Sequence, residues 1–130
     1  MFINKIKNKK VHFIGVSGSG MVGICQLLTD SNLCELSGSD LNERQSINKL
    51  KEKGMTFFLG HDAKHVQDVD IIVYSGAVPA NNVEMKEAKR LGKSCYHRAT
   101  FLVNLMHDYK EQIIVAGTHG KTTSTGMLIH

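Results

Sequence analysis

The stretch Val11–Gly23, reading VHFIGVSGSGMVG, constrains the fold more than any other part of the chain. Val11–Val16 is a short run rich in β-branched residues and bounded by glycines, as a buried strand would be. Met21, Ile24, Cys25 and Leu28 then recur at i, i+3, i+4 and i+7, which is one face of a helix. A strand that feeds a helix through a glycine turn is the unit of an α/β fold.

The unit repeats along the chain. Cys34–Gly38, Met55–Leu59, Asp70–Tyr74 and Ser94–Tyr96 read as further strands, and Asp70–Tyr74 is apolar enough to be covered on both faces. Ile47 and Leu50 mark a polar surface helix ended by Gly54. Asn81 with Glu84 reads as an N-cap pair for a helix that runs to Leu91 and stops at Gly92. Phe101, Leu102, Leu105 and Met106 form another helical stripe, and Gln112–Ala116 reads as a last strand. Short loops between these elements predict a Rossmann-like parallel sheet with helices on both faces. The expected organisation is a basic leader over 1–10, a Rossmann-like domain over 11–108, and the strand and phosphate loop of a truncated second domain over 109–130. The polar stretch Asp108–Glu111 is the expected boundary.

Gly18, Gly20 and Gly23 follow a G-x-G-x-x-G pattern between strand and helix, and Asp40 lies about 20 residues on, after the second strand. Glycines without a Cβ let backbone N–H groups approach a diphosphate, and a helix N-terminus holds its charge. An acid after the second strand can accept hydrogen bonds from ribose hydroxyls. NAD, FAD or a UDP-sugar would each present such a diphosphate, and a tight packing turn with no ligand gives the same pattern.

A second glycine turn, GTHGKTTST, follows the apolar run Ile113–Ala116. Gly117, Thr118, His119, Gly120, Lys121, Thr122 and Thr123 are expected to surround the phosphates of ATP. Lys121 would supply a point charge to the β- and γ-phosphates, and Thr122 a hydroxyl to Mg²⁺. The spacing is shorter than G-x-x-x-x-G-K-[ST], because Val115 stands where the first glycine would be. Two phosphate sites in one chain point to phosphoryl transfer rather than to a nicotinamide-dependent oxidoreductase or sensor, which leaves the second loop unexplained.

GTHGKTTST resembles the ATP loop of the Mur ligases of bacterial peptidoglycan synthesis. HFIGVSGSGMVGI, LSGSDL, GHDA, VYSGAV with NNVE, and HRATFL resemble that family in the same order. Ser17 and Val83 depart from its usual Gly and Pro. The resemblance implies an ATP- and Mg²⁺-dependent cytoplasmic carboxylate–amine ligase acting on UDP-N-acetylmuramate and L-alanine. The sugar's carboxylate would be activated as an acyl phosphate. The related branch that recycles murein tripeptide is the alternative within the family. Catalytic roles would fall to Lys121 and Thr122. The UDP-sugar would be held by Gly18, Ser19, Gly20, Met21, Ser39, Asp40, Ser75 and Ala77, with His61 and Arg98 as further candidates. For Arg98 a plain surface charge at a helix start is the competing reading. The resemblance also implies that much of the catalytic machinery lies beyond residue 130, so the 130-residue chain is expected to be inactive alone.

The remaining signals narrow the function. The chain is 42% hydrophobic and 22% charged, with no apolar run approaching the ~20 residues of a membrane span. Lys5, Lys7, Lys9 and Lys10 account for the net charge of +4, so the leader is expected to be a solvated tail and nucleic acid is not an expected partner. Cys25, Cys34 and Cys95 are too widely spaced for a metal site and are expected to be free thiols. His61 and His65 stand at i, i+4, as in some zinc sites, but no Glu or third ligand is arranged around them in sequence, so they are expected to be a solvated helix start.

Overall fold

The computed structural model describes residues 2–18 and 20–117, with side chains described as far as Asp108. Five parallel strands form one sheet in the order β3-β2-β1-β4-β5. They are β1 (Lys10–Ile14), β2 (Glu35–Asp40), β3 (Thr56–Leu59), β4 (Ile71–Tyr74) and β5 (Ser94–His97). The helices are α1 (Phe2–Ile6), α2 (Met21–Ser31), α3 (Gln45–Glu52), α4 (Val83–Arg90) and α5 (Arg98–Gly117), with a 3-10 turn at Ala63–Val66. The α/β class and the parallel sheet agree with the sequence reading.

Alternation along the strands sorts the two faces. Val11 and Phe13 pair with Leu36 and Gly38 and with Ile71 and Val73, and these positions meet α2, α3 and α5 in the larger core. His12 and Ile14 point to the other face, opposite Ser37 and Ser39. That face is covered by the 3-10 turn and α4, through Val66, Met85 and Ala88. The order reverses between β1 and β4, so the carboxyl ends of these two strands open the crevice where parallel α/β sheets take ligands.

Four expectations are corrected. The leader is not a solvated tail: Phe2–Ile6 is helical, and Ile6 is fully buried. Phe2 meets Tyr96 and Phe101 edge-on at 5.4 and 5.2 Å, and the Ile3 N–H donates to Asp108 at 2.6 Å. Apolar residues at 2, 3 and 6 supply a buried face beneath the lysines. The polar stretch Asp108–Glu111 is not a loop, since α5 runs through it to Gly117. Gln112–Ala116 is accordingly helix rather than strand. Helical backbone groups bond within their own segment, whereas a lone strand leaves them unpaired unless another strand lies beside it. Finally, the cap of α4 is Asn82 rather than Asn81: its Oδ1 accepts from the N–H groups of Glu84 at 2.8 Å and Met85 at 3.3 Å. This frees the Glu84 side chain to turn inward.

Among the described residues no helix is long and apolar enough to cross a membrane. The loop Thr118–Thr123 and Ser19 lie outside the described residues.

Candidate functional site

The turn Gly15–Gly20 joins the end of β1 to α2. Gly15 adopts φ +80° and Gly20 φ +82°, a region that side chains disfavour. A Cβ on Gly15 would lie 3.1 Å from Ser75 Cβ and Val78 Cγ2, and one on Gly20 would lie 3.0 Å from Arg98 Nη1. Gly15 lies outside the G-x-G-x-x-G pattern, yet it too leaves no room for a Cβ, here against the Ser75 and Val78 side chains. A Cβ on Gly23 meets nothing within 4 Å, so the third pattern glycine is not needed here for packing.

The turn is fixed from below. The N–H groups of Gly15 and Val16 donate to the Ser39 carbonyl at 2.8 and 3.1 Å. Asp40 Oδ2 accepts the Ser17 N–H at 2.9 Å, and Ser17 Oγ donates to the Asn42 carbonyl at 2.9 Å. Gly20 caps α2 without a side-chain cap; the Met21 N–H donates to the Gly18 carbonyl at 3.1 Å, which leaves the Val22 and Gly23 N–H groups at the positive end of the helix dipole. The Arg98 guanidinium lies over Gly20, half-buried, and among the described residues no carboxylate pairs with it. Ser75 closes the other side: its Oγ is 3.5 Å from where a Gly18 Cβ would be and accepts the Ala77 N–H at 3.2 Å. His97, at the end of β5, was not singled out in the sequence, yet its Nε2 lies 3.2 Å from where a Gly76 Cβ would be.

The fold therefore brings Gly18, Gly20, Met21, Ser75, Ala77 and Arg98 to one carboxyl-end crevice, with Asp40 holding its turn. Uncapped N–H groups, glycine clearance and a guanidinium with no carboxylate partner among the described residues suit a diphosphate. A groove of about 500 Å³ lies at the amino end of the sheet, lined in part by Asn32, Cys34, Lys53 and Gly54. The C-termini of α2 and α3 face it, and their dipole ends repel anions, so the carboxyl-end crevice is the better phosphate site.

Ser39 and His61 lie elsewhere. Ser39 is fully buried, and its Oγ donates to Glu84 Oε1 at 2.7 Å. Glu84 also accepts from His12 Nε2 at 2.6 Å, His65 Nδ1 at 2.8 Å, His61 Nδ1 at 3.1 Å and the Asp62 N–H at 3.1 Å. Burial pushes the Glu84 carboxyl up, but the hydrogen bond and charge of His12 and the hydrogen bonds of Ser39 and His65 outweigh it and hold its pKa at about 2. The expectation of solvated histidines is thus corrected: His61 and His65 are 14% and 15% exposed and converge on a buried Glu. The sequence signal that was present is His12, a polar residue inside an apolar strand.

Comparison with known proteins places the chain beside one group. The family model described as "Mur ligase family, catalytic domain" matches residues 10–110. The chain is 46% identical over 126 residues to a UDP-N-acetylmuramate–L-alanine ligase of Clostridium botulinum, covering 97% of this chain and 27% of that protein. It is 44% identical over 123 residues to the ligase of the same name from Clostridium acetobutylicum, with 95% and 27% covered. The crystal structure of UDP-N-acetylmuramate-alanine ligase from Thermotoga maritima matches with TM-score 0.67 and 25% identity, over 81% of this chain and 23% of that one. A murein peptide ligase from Psychrobacter arcticus shares the fold, with TM-score 0.68 and 21% identity over 74% and 20% of the two chains. The chain thus spans about a quarter of the length of the relatives it matches.

Proposed function

The chain belongs to the Mur ligase family, and from that premise we propose that it binds the UDP part of UDP-N-acetylmuramate as the first module of an ATP-dependent ligase that adds L-alanine. The observation that carries this reading is the Arg98 guanidinium set over the left-handed Gly20 at the uncapped start of α2. The α2 N–H groups and Arg98 hold the diphosphate, and Ser75 and Ala77 border the crevice from β4. Asp40 keeps the turn in shape, with its Oδ1 and Oδ2 accepting the Leu41 and Ser17 N–H groups. Family membership favours a UDP-sugar over a nicotinamide dinucleotide at this site.

In the complete enzyme, ATP with Mg²⁺ supplies the phosphoryl group that activates the sugar's carboxylate for attack by the amine of L-alanine. Lys121 and Thr122 in GTHGKTT are the residues of this chain suited to hold the phosphates and the ion, with Thr118–Thr123 as the loop around them and Gly117 leading into it from the end of α5. The 130-residue chain binds the sugar nucleotide without forming the amide bond. Thermal-shift titration with UDP-N-acetylmuramate, UDP and NADH, run beside a phosphate-release assay, tests this. A rise in melting temperature with both uridine compounds and no phosphate release supports the reading. A rise with NADH alone contradicts it.

A further inference from the structure

We propose that His12, His65 and Glu84 form a transition-metal site, suited to Zn²⁺, on the sheet face covered by α4. One ligand atom from each residue converges, all within 4.8 Å of one another. His12 comes from the middle of β1, His65 from the 3-10 turn and Glu84 from the first turn of α4, so three separate elements supply the set. Two imidazoles and a carboxylate are a zinc donor set, with borderline-soft nitrogen donors that Mg²⁺ and Ca²⁺ do not select.

The rings are aimed from outside the cluster. His12 Nδ1 bonds Ser37 Oγ at 2.7 Å, which leaves Nε2 facing Glu84. The His65 ring stacks on Phe58, with centroids 3.9 Å apart and 15° between planes. Such outer contacts orient the ligands of metal sites. A tetrahedral ion with bonds of about 2 Å sets its ligand atoms roughly 3.3 Å apart. Glu84 Oε1 lies 2.6 Å from His12 Nε2 and Glu84 Oε2 lies 2.8 Å from His65 Nδ1, so an ion held by both carboxylate oxygens enters by widening these contacts by roughly half an ångström or more. On binding, the ring protons facing Glu84 leave to solvent and the nitrogen lone pairs turn to the ion. His12 and Glu84 are fully buried, while His65 at 15% and His61 at 14% exposure leave a way in. His61 Nδ1, 3.1 Å from Glu84 Oε2, is the candidate fourth ligand. None of its three ligands lines the diphosphate crevice; Ser39 touches both, with its Oγ on Glu84 and its carbonyl on the glycine turn.

The test uses the tag-free chain, stripped with a chelator and titrated with Co²⁺ and Zn²⁺. The site predicts one ion per chain, visible d–d bands of tetrahedral intensity with Co²⁺, and displacement of Co²⁺ by Zn²⁺. His65→Ala and Glu84→Gln weaken binding at least about 100-fold, Ser37→Ala about tenfold, and His107→Ala not at all. If His65→Ala does not fold, His65→Gln carries the same prediction. No stoichiometric ion, or binding unchanged in the folded His65 variant, overturns the proposal and leaves the cluster a network of hydrogen bonds.

Discussion

Asp40 Oδ2 accepts the backbone N–H of Ser17 at 2.9 Å, so the acid that ends β2 holds the first turn of the crevice. Its Oδ1 accepts the Leu41 N–H at 2.7 Å. Both oxygens are therefore engaged by backbone before any ligand arrives. Hydrogen bonds to a charged acceptor contribute about 1.5–3 kcal/mol each. Asp40→Ala is expected to lower stability by about 2 kcal/mol in urea unfolding and to weaken UDP-sugar binding about tenfold. Unchanged stability would mean that the turn holds without this carboxylate.

Gly20→Ala separates two effects. An L-residue at φ +82° costs about 1–2 kcal/mol. The new Cβ also meets Arg98 Nη1 at 3.0 Å and pushes the guanidinium off the turn. Arg98→Ala removes the charge without touching the backbone. Both variants are expected to lose at least tenfold in UDP affinity by calorimetry, but only Gly20→Ala loses stability. Full affinity in Arg98→Ala would remove the arginine from the site.

Gly38 is a packing requirement. A Cβ there would lie 2.8 Å from Val16 Cβ and Cγ1, inside van der Waals contact, and Val16 is fully buried. Overpacking of this kind costs about 1–3 kcal/mol. Gly38→Ala is expected to fall at the upper end in urea unfolding, because backbone-proximal atoms cannot turn away. Gly38→Ala with Val16→Ala is expected to recover part of the loss, and a strictly additive double variant contradicts the contact.

The cysteines report on burial. Cys25, Cys34 and Cys95 are free, and burial pushes the Cys34 thiol up to about 11 from 9.0. Alkylation proceeds through the thiolate. The Cys34 labelling rate is therefore expected to climb about tenfold per pH unit from 8 until near pH 11. A plateau near pH 9 would show an ordinary thiol.

Much of the sheet was legible, because β-branched runs bounded by glycines mark β1 and β4, and Gly54 and Gly92 follow α3 and α4 where expected. The glycine turn between β1 and α2 was legible for the same local reason. The Glu84 cluster was not: it joins positions 12, 39 and 84 to the local pair 61 and 65 across separate elements, and the one-residue difference between Asn81 and Asn82 as cap bears on where Glu84 points. The docked leader was hidden by its lysines. Ile113–Ala116 misled because β-branched residues read as strand by propensity, while continuity with α5 makes them helix.

The most direct test of the central claim is an amide NMR titration of the chain with UDP-N-acetylmuramate. Shifts concentrated at Gly18, Gly20, Met21, Gly76 and Ala77, in the carboxyl-end crevice, are expected. Shifts confined to Asn32, Cys34, Lys53 and Gly54 at the opposite end of the sheet, or none at saturating ligand, would contradict it.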